Sequence, residues 1–557
     1  MTATSAIGTG EPASVKKRTN IGLVIAASAA GTAFEWYDFF LFVPLAAILS
    51  KTFFSGLNET ASYVFALGAF AVGFAFRPIG ALIFGRIGDR VGRKGTFLIT
   101  MSLMGFSTFA LGLVPSYAQA GILAPVLFIG LRILQGLALG GEWGGAAIYI
   151  AEHVDDKKRG VSGAWLGGSA AFGLLGALAV VLVTRAVFGE PAFVAWAWRI
   201  PFLFSAFLLA ISVWIRLKLH ESPLFAKMRD EGHRSERPYA ESFLQWPNLK
   251  RVLMVLFGIM VAQGAVWYLC FFYASFFMET VIKLPSATVN LVMIALVVAS
   301  VPLYLAFGLL SDRIGRKPVM LFGMIVTVLF AFPGFHLITR AGNPALDQAS
   351  TRAPVVVVAD PAECSLQFDP VGKSQFRTSC DIAKSTLTTA GVSYQNLAAP
   401  AGTPAQVKVG EVTVPSADGR GLDTKSLAAL KTETAGRIKT ALAAAGYPLK
   451  ADPAGINLLE LFGVLLVFCI GATALYGPQA AALVELFPTR IRYTALSLPY
   501  HIGTGWVGGF LPASAFAMVA AKGDIYFGLW YPVVATTVAV LAMIAFLPET
   551  KGKSLDF

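Results

Sequence analysis

The chain has 557 residues, of which 56% are hydrophobic and only 14% are charged, and its mean hydropathy is +0.67. Soluble domains carry about 25% charged residues, so this composition excludes an ordinary soluble protein and predicts an integral membrane protein. The formal net charge is +12. That charge lies in short connections rather than on a basic soluble domain, which argues against a nucleic-acid partner.

Twelve apolar blocks are long enough to cross a lipid bilayer as helices, which takes about 20 residues each. We call them spans 1 to 12 in chain order. The first 20 residues contain three basic residues but no small-residue cleavage site, so they predict a tail and not a signal peptide. The blocks lie near residues 21–50, 61–87, 95–115, 119–150, 161–187, 194–217, 251–280, 287–310, 317–339, 456–484, 491–521 and 525–547.

Lysine and arginine are distributed unequally between the two sides of these spans. The tails and short connections on one side hold 25 of them, and those on the other side hold 4 when the long segment after span 9 is left aside. Because basic loops stay in the cytoplasm, we predict a bacterial inner membrane protein with both termini cytoplasmic. We call the predicted cytoplasmic side the basic face and the opposite side the outer face.

Two motifs occur once in each half of the chain. Gly85–Lys94 reads GRIGDRVGRK, and Gly308–Lys317 reads GLLSDRIGRK, 223 residues later. A Glu-x6-Arg pair recurs as Glu152–Arg159 and Glu485–Arg492, at an offset of 333. The change of offset indicates a tandem duplication with a segment inserted into its second copy. Repeated halves in an apolar chain are typical of secondary transporters, whose solute site lies between the repeats.

These observations predict an all-α membrane protein whose twelve helices form two six-helix bundles. A small mixed α/β outer domain is inserted between helices 9 and 10. The predicted parts are a cytoplasmic tail (1–20), an N-terminal bundle (21–217), a cytoplasmic linker (218–250), helices 7–9 of the C-terminal bundle (251–339), a periplasmic domain (340–455), helices 10–12 (456–547) and a cytoplasmic tail (548–557).

The inserted segment is polar and nearly balanced in charge, with 12 basic and 10 acidic residues. Short β-type runs at 354–359, 406–409 and 411–414 precede a helical stretch from 424 to 445. Cys364 and Cys380 both lie in it, and we expect them to form a disulfide in an oxidising periplasm. The segment is either a surface addition or a lid that captures solute, and the sequence leaves both interpretations open.

Charged residues recur at matched places on the basic face. We predict that they form one ion-pair network in each half, which closes that face and breaks when it opens. The alternative is that the basic residues only set the orientation, which leaves the matched acids unexplained. The predicted gating residues are Gly85, Asp89, Arg90, Gly92, Arg93, Glu152, Arg159 and Glu221 in the first half, and Gly308, Asp312, Arg313, Gly315, Arg316, Glu485, Arg492 and Glu549 in the second.

Charges inside membrane helices are costly and usually functional. Asp38, Glu35 and Glu142 are the candidate proton carriers, because a carboxylate beside a mobile arginine can exchange a proton for an ion pair. The alternative is a permanent ion pair from Asp38 to Arg77 or Arg132. Candidate solute contacts are Arg132, Arg77, Tyr37, Gln135, Gln263 and Tyr268.

Several stretches together resemble the major facilitator superfamily, and within it the metabolite:H+ symporter family. They include Glu35–Phe39 (EWYDF), Arg77–Gly80 (RPIG), Gly140–Gly145 (GGEWGG), Trp198–Phe202 (WRIPF) and Glu485–Thr489 (ELFPT). The resemblance covers nearly everything except residues 340–455. It implies the major facilitator fold and a permease for a solute such as α-ketoglutarate, citrate, shikimate, a dicarboxylate, proline or glycine betaine.

We therefore expect a proton-coupled symporter for a small organic acid, because the intramembrane arginines can hold a carboxylate. A zwitterionic osmolyte such as proline or betaine is the alternative, since Glu35, Trp36 and Tyr37 could receive its ammonium group. A second alternative is a membrane sensor that binds solute without moving it. The sequence contains no Walker A motif, metal-ligand cluster or catalytic motif. We thus expect a monomer that is not an enzyme, has no cofactor or bound metal, and acts on solute and protons in the bilayer.

Overall fold

The structure is a computed structural model that describes residues 21–54, 59–218, 221–365 and 375–555. The predicted N-terminal tail, 1–20, lies outside these ranges, as do residues 55–58, 219–220, 366–374 and 556–557. Side chains of residues 59–71 are likewise not described.

Long helices occupy all twelve apolar blocks. Within the described ranges, ten of them meet the length and composition of a membrane span. The first is broken at Leu41, and the second includes the undescribed side chains of 59–71. The bounds are Ile21–Phe40 with Phe42–Phe53, Glu59–Arg90, Arg93–Leu113, Leu123–His153, Arg159–Phe188, Arg199–Leu217, Trp246–Val281, Ser286–Ile314, Arg316–Gly342, Leu458–Leu486, Arg492–Val519 and Phe527–Phe546 for spans 1 to 12.

A glycine makes the tight turn before span 3 and before span 9. Gly92 has a φ of 128° and Gly315 a φ of 110°, values that only glycine adopts without strain. A Cβ would also lie 2.4 Å from the Glu221 carboxylate at the first position and 2.5 Å from the Glu549 carboxylate at the second. The duplicated motif therefore needs glycine here both for its backbone angle and for its space.

Small residues let helices within each bundle approach closely. A Cβ on Gly136 of span 4 would lie 2.3 Å from the carbonyl oxygen of Gly73 in span 2. In the second half, a Cβ on Gly323 of span 9 would lie 2.4 Å from the carbonyl oxygen of Gly471 in span 10. Since lipid gives no hydrophobic drive between helices, such backbone-level packing stabilises membrane bundles.

The inserted segment forms a four-stranded sheet with three α-helices. Its strands are β1 (Val355–Ala359), β2 (Tyr394–Ala398), β3 (Gln406–Val409) and β4 (Val412–Pro415), in the order β2-β1-β3-β4. Strand β1 is parallel to β2 and antiparallel to β3, and β3 is antiparallel to β4. The helices are Pro344–Arg352, Ser379–Ala390 and Thr424–Ala444, and the first two, like β2, are absent from the sequence prediction.

A disulfide joins Cys364 to Cys380, as the sequence predicted. The Cα atoms of the two cysteines are 5.2 Å apart, within the usual range for a disulfide. It ties the segment after β1 to the start of the Ser379–Ala390 helix. The bond therefore links two cysteines that are 16 positions apart in the sequence.

The inserted domain is held by the C-terminal bundle. The backbone N–H of Tyr394 donates to the carbonyl of Gly523, between spans 11 and 12, at 2.6 Å. The N–H of Ala451 donates to the carbonyl of Lys283, between spans 7 and 8, and the Lys283 ammonium donates back to the carbonyl of Thr389 at 2.6 Å. These bonds fix the domain to two connections of the same bundle.

Candidate solute and proton sites

On the basic face, Asp89 connects the two bundles. Its carboxylate pairs with Arg93 at 3.0 Å within the N-terminal bundle. It also accepts hydrogen bonds from the backbone N–H groups of Tyr493 at 3.1 Å and Thr494 at 2.8 Å, in the first turn of span 11. A carboxylate at a helix N-terminus satisfies unpaired N–H groups and the helix dipole, so Asp89 draws the two bundles together.

Asp312 does the same from the other half. It pairs with Arg316 at 2.7 Å, and its carboxylate accepts from the N–H groups of Gly160 at 2.8 Å and Val161 at 2.9 Å, in the first turn of span 5. The two motifs thus close the basic face by symmetric contacts. The sequence did not predict that their acids would bind helix N-termini in the opposite bundle.

Arginines and glutamates complete the network between the halves. Arg492 pairs with Glu152 at 2.7 Å, and Arg93 lies 3.8 Å from the same carboxylate. In the second half, Glu485 pairs with Arg316 at 3.1 Å, and Arg159 reaches it at 3.9 Å. The arginine of each Glu-x6-Arg pair therefore contacts the glutamate of the pair in the opposite half.

Four predicted gating residues do not form the ion pairs expected of them among the residues described. Glu221 and Glu549 cap the first turns of spans 3 and 9 through backbone N–H groups and do not pair with arginines there. The side chains of Arg90 and Arg313 are exposed, and no ion pair from them occurs in the part of the chain that the structure describes. The predicted ion-pair roles of these four are corrected accordingly.

Arg77 of span 2 lies buried between the bundles, 2% exposed. Its Cζ lies 4.3 Å from the ring centre of Phe74 and 4.5 Å from that of Phe39. The hydroxyl of Tyr268, from span 7, lies beside the guanidinium. The Arg77 Nε and Nη2 atoms have no hydrogen-bond partner among the residues described, which leaves one edge of the guanidinium able to donate.

Aromatic rings from both bundles surround this position. Trp143 of span 4 stacks on Tyr500 of span 11, with ring centres 3.9 Å apart, and Tyr476 of span 10 lies edge-on to Trp143 at 6.2 Å. Trp36 of span 1 faces Trp267 of span 7 at 6.4 Å. We call this group, together with Tyr268 and Arg77, the central site.

Asp38 lies inside the N-terminal bundle and not in the central site. Its carboxylate accepts a hydrogen bond from the Ser205 hydroxyl at 2.5 Å. Thr108 also bonds to it, and the Gln135 amide joins Thr108 to Arg132, with donor–acceptor distances of 2.7 Å at both steps. Asp38 thus reaches Arg132 through two polar side chains, and no direct ion pair from Asp38 to Arg132 or Arg77 occurs in the described ranges.

Glu35 and Glu142 meet on the basic side of Asp38. Arg216, in the last turn of span 6, pairs with Glu142 at 2.7 Å, and the Thr100 hydroxyl donates to the other Glu142 oxygen at 2.7 Å. The Glu35 carboxyl lies within hydrogen-bonding reach of the Glu142 carboxyl. Arg216 was missed by sequence reasoning, because a basic residue at the cytoplasmic end of a span usually only sets orientation.

Four of the predicted solute contacts are not part of the central site. The Tyr37 hydroxyl donates to the Pro201 carbonyl of span 6 at 2.8 Å, inside the N-terminal bundle. Gln135 and Arg132 belong to the chain of polar groups at Asp38. Gln263 is buried, and its side-chain oxygen has no partner among the described residues. Of the six predicted contacts, Arg77 and Tyr268 are the two that the structure brings together in the central site.

Comparison with known proteins decides the family. The model of the Major Facilitator Superfamily matches residues 28–346, more than half of the chain. The chain belongs to the major facilitator superfamily. The model described as Sugar (and other) transporter also matches, over residues 435–556. These matches confirm the resemblance that the sequence motifs indicated, and the segment between them overlaps most of the inserted domain.

Relatives extend the comparison. The proline/betaine transporter of Salmonella typhimurium is 36% identical over 324 residues, which cover 56% of this chain and 64% of that protein. The glycine betaine/proline/ectoine/pipecolic acid transporter OusA of Dickeya dadantii is 35% identical over the same shares. The inner membrane metabolite transport protein YhjE of Escherichia coli is 35% identical, covering 58% of this chain and 74% of that one. This chain therefore covers less than two thirds of the length of the first two relatives.

Solved structures agree on the fold. The proton:xylose symporter XylE bound to a glucose analogue superposes with a TM-score of 0.63, 16% identity and coverage of 96% of this chain and 97% of that chain. A partially occluded inward-open form of XylE from E. coli gives a TM-score of 0.57 at 16% identity, with 96% and 99% coverage. The twelve-helix major facilitator fold predicted from the sequence is therefore confirmed, and these relatives and neighbours are transporters by name, not enzymes.

Proposed function

We propose that this protein is a proton-coupled symporter that imports a small zwitterionic osmolyte, of the proline or betaine type, by alternating access. The Nε–Nη2 edge of the buried Arg77 guanidinium, which has no hydrogen-bond partner among the residues described, carries the proposal. That edge matches both oxygens of a carboxylate. A bound carboxylate would also compensate a buried positive charge, which is costly without a partner.

The aromatic rings of the central site suit the other end of such a solute. A quaternary or secondary ammonium group is attracted to the faces of tryptophan and tyrosine rings, most strongly where water is excluded. Trp143, Tyr476 and Tyr500 are all buried around Arg77. The names of the proline/betaine relatives support the same solute class.

The small organic acid expected from the sequence is the second candidate. Arg77 would hold its carboxylate equally well, but a mono- or dicarboxylate has no positive group for the aromatic rings. Both the ring arrangement and the relatives therefore favour the zwitterion. A sensor that does not transport is less well supported, because the charged contacts that close the basic face are present in both halves.

Alternating access would use the basic-face network as its inner gate. The Asp89 and Asp312 contacts hold the bundles together on that face, so solute can reach the central site only from the outer face while they persist. Opening requires these contacts to break and the bundles to rock about the central site. The basic face is closed in this structure.

The experiment is uptake into proteoliposomes with an imposed pH gradient, acidic outside. Radiolabelled glycine betaine, proline, α-ketoglutarate and citrate are compared for the wild type and for Arg77→Gln. We expect the wild type to accumulate the zwitterions, and Arg77→Gln to lower their affinity by about 10- to 100-fold, the value of hydrogen bonds to a charged group. Arg199→Gln is the matched control, because Arg199 lies at the outer end of span 6, where it donates to the Gly112 and Val114 carbonyls and packs over the Trp198 ring.

Two outcomes would contradict the proposal. Accumulation of organic acids alone would move the assignment to the second candidate. Thermal stabilisation by a zwitterion without uptake of any of the four solutes would favour the sensor.

A further inference from the structure

Three charged side chains form a closed group inside the N-terminal bundle: Glu35 of span 1, Glu142 of span 4 and Arg216 of span 6. They are 4%, 1% and 3% exposed. Arg216 pairs with Glu142 at 2.7 Å, and the Glu35 carboxyl lies within hydrogen-bonding reach of the Glu142 carboxyl. We call Glu35 and Glu142 the acid pair.

The charges of this group do not balance unless it holds a proton. Two ionised carboxylates beside one guanidinium leave a net charge of −1 among buried side chains. Carboxylates that touch cannot readily both be ionised, and an uncompensated buried charge is strongly unfavourable. One proton on Glu35 makes the group neutral and supplies the hydrogen bond between the two carboxyl groups.

We infer that Glu35 and Glu142 share one proton, with Arg216 as the counter-ion, and that this is the proton moved with the solute. The second half of the inference rests on the proposed symport. The other groups facing the acid pair are Asp38 on span 1, Thr100 on span 3 and Tyr493 on span 11. Asp38 accepts hydrogen bonds from Ser205 and Thr108, so it belongs to a separate network of polar side chains.

Tyr493 connects this proton to the gate. It belongs to the opposite bundle, and its hydroxyl donates to the carbonyl of Gly141, the residue before Glu142. Its backbone N–H is one of the two that bind Asp89. When the basic face opens, span 11 must leave span 4, which uncovers Glu142 to cytoplasmic water. The proton then passes from the acid pair to that water, and the remaining negative charge strengthens the pair with Arg216.

The acid pair is also next to the central site. Glu35 points to Glu142, and the following residue, Trp36, lies 5.8 Å from Arg77 and faces Trp267 of the opposite bundle at 6.4 Å. Occupation of the central site and protonation of the acid pair therefore act on one turn of span 1. This adjacency gives the two events a common helix through which to influence each other.

The direct test is infrared difference spectroscopy of the reconstituted, solute-free protein during pH titration. A protonated carboxyl gives a carbonyl-stretch band that disappears on ionisation. We expect the wild type to show this band, Glu35→Gln to lose it and Asp38→Asn to keep it. Glu35→Gln is the preferred variant because it leaves the Arg216–Glu142 pair and the Thr100 bond in place.

A band that persists in Glu35→Gln, or one that Asp38→Asn removes instead, would overturn the shared proton. Transport is measured in parallel with glycine betaine. Glu35→Gln should lose accumulation driven by the pH gradient and keep solute exchange within about threefold. Glu190→Gln, at an exposed outer position, is the matched control. Uptake by neither wild type nor variants would reject the proposed function alone, since the infrared result does not depend on solute.

Discussion

Three intramembrane arginines differ in what surrounds their guanidinium groups. Arg216 has a direct carboxylate partner in Glu142, at 2.7 Å. Arg132 donates to Gln135 at 2.7 Å and packs over Phe42, with its Cζ 4.8 Å from the ring centre. Arg77 lies between the bundles, beside Tyr268 of span 7 and the rings of Phe74 and Phe39. Because secondary transporters bind solute between their two halves, this position is the reason that we propose Arg77, and not the other two, as the solute contact.

Glu549 gives a prediction at this scale. Partial burial by itself would raise its pKa, but the backbone N–H groups of Arg316, Lys317, Thr550 and Lys551 all donate to its carboxylate and hold the pKa below the usual range. At pH values above the ordinary pKa, the ionised carboxylate therefore stabilises the fold. This contribution is lost as the pH falls through the lowered pKa of the folded state.

We expect Glu549→Gln to melt about 1–3 °C below the wild type at pH 7, the effect of one charge at a helix N-terminus. The difference should shrink only below pH 4.5, the ordinary value for this group. Tryptophan-fluorescence melting in detergent, from pH 7 downward, measures it. Glu433→Gln is the control, because Glu433 lies on the exposed side of the Thr424–Ala444 helix of the inserted domain. A difference that is constant with pH would show that the charge is not responsible.

At the scale of elements, the proposed inner gate is built from helix N-termini. Spans 5 and 11 each begin with backbone N–H groups that point across the bundle interface, and an aspartate from the other half accepts from them. Such bonds use a carboxylate, a helix dipole and main-chain donors, which no side-chain substitution in the partner helix removes. The gate therefore depends most on Asp89 and Asp312.

We expect Asp89→Asn and Asp312→Asn each to shift the protein toward the state that is open on the basic face, because an amide is a weaker partner for these N–H groups. Spin labels at Lys157→Cys and Arg313→Cys, both exposed and on opposite bundles, report the opening as a longer distance. The native cysteines are buried or disulfide-bonded. Asp230→Asn, an exposed aspartate of the linker, is the control, and unchanged distances would reduce the motifs to orientation signals.

At the scale of the whole molecule, the inserted domain is attached to the C-terminal bundle. Its hydrogen bonds reach the connections between spans 7 and 8 and between spans 11 and 12. A domain fixed there would move with the C-terminal bundle and change its position relative to the N-terminal bundle. Both of the roles that the sequence left open, a surface addition or a lid, are compatible with this attachment.

The corresponding prediction uses a spin label at Arg437→Cys in the outer domain. Its distance to a label at Leu459→Cys, at the start of span 10, should stay unchanged between solute-free and solute-saturated protein. Its distance to a label at Ala118→Cys, after span 3, should change. All three positions are exposed. Constant distances in both pairs would show that the domain does not follow the C-terminal bundle.

The sequence by itself determined the class and most of the fold. Long apolar blocks must form helices in lipid, since every backbone polar group has to be bonded internally. The repeated GRIGDRVGRK and GLLSDRIGRK motifs then identified the two halves and the inserted segment. These are local or periodic signals, and they do not depend on which helices touch.

Only the tertiary structure decided the sites. Glu35 and Arg216 are more than a hundred residues apart in the sequence, with Glu142 between them. Whether the three side chains come into contact depends on how spans 1, 4 and 6 are rotated about their axes. The same applies to Asp89 and the N–H groups of span 11, whose backbone donors carry no sequence signal. Tyr37 shows the converse: its place in the EWYDF motif suggested a solute contact, but one step around a helix turns a side chain by about 100°, and its hydroxyl bonds to span 6 instead. Helix rotation and packing, which no single helix encodes, therefore separate the central site from the acid pair.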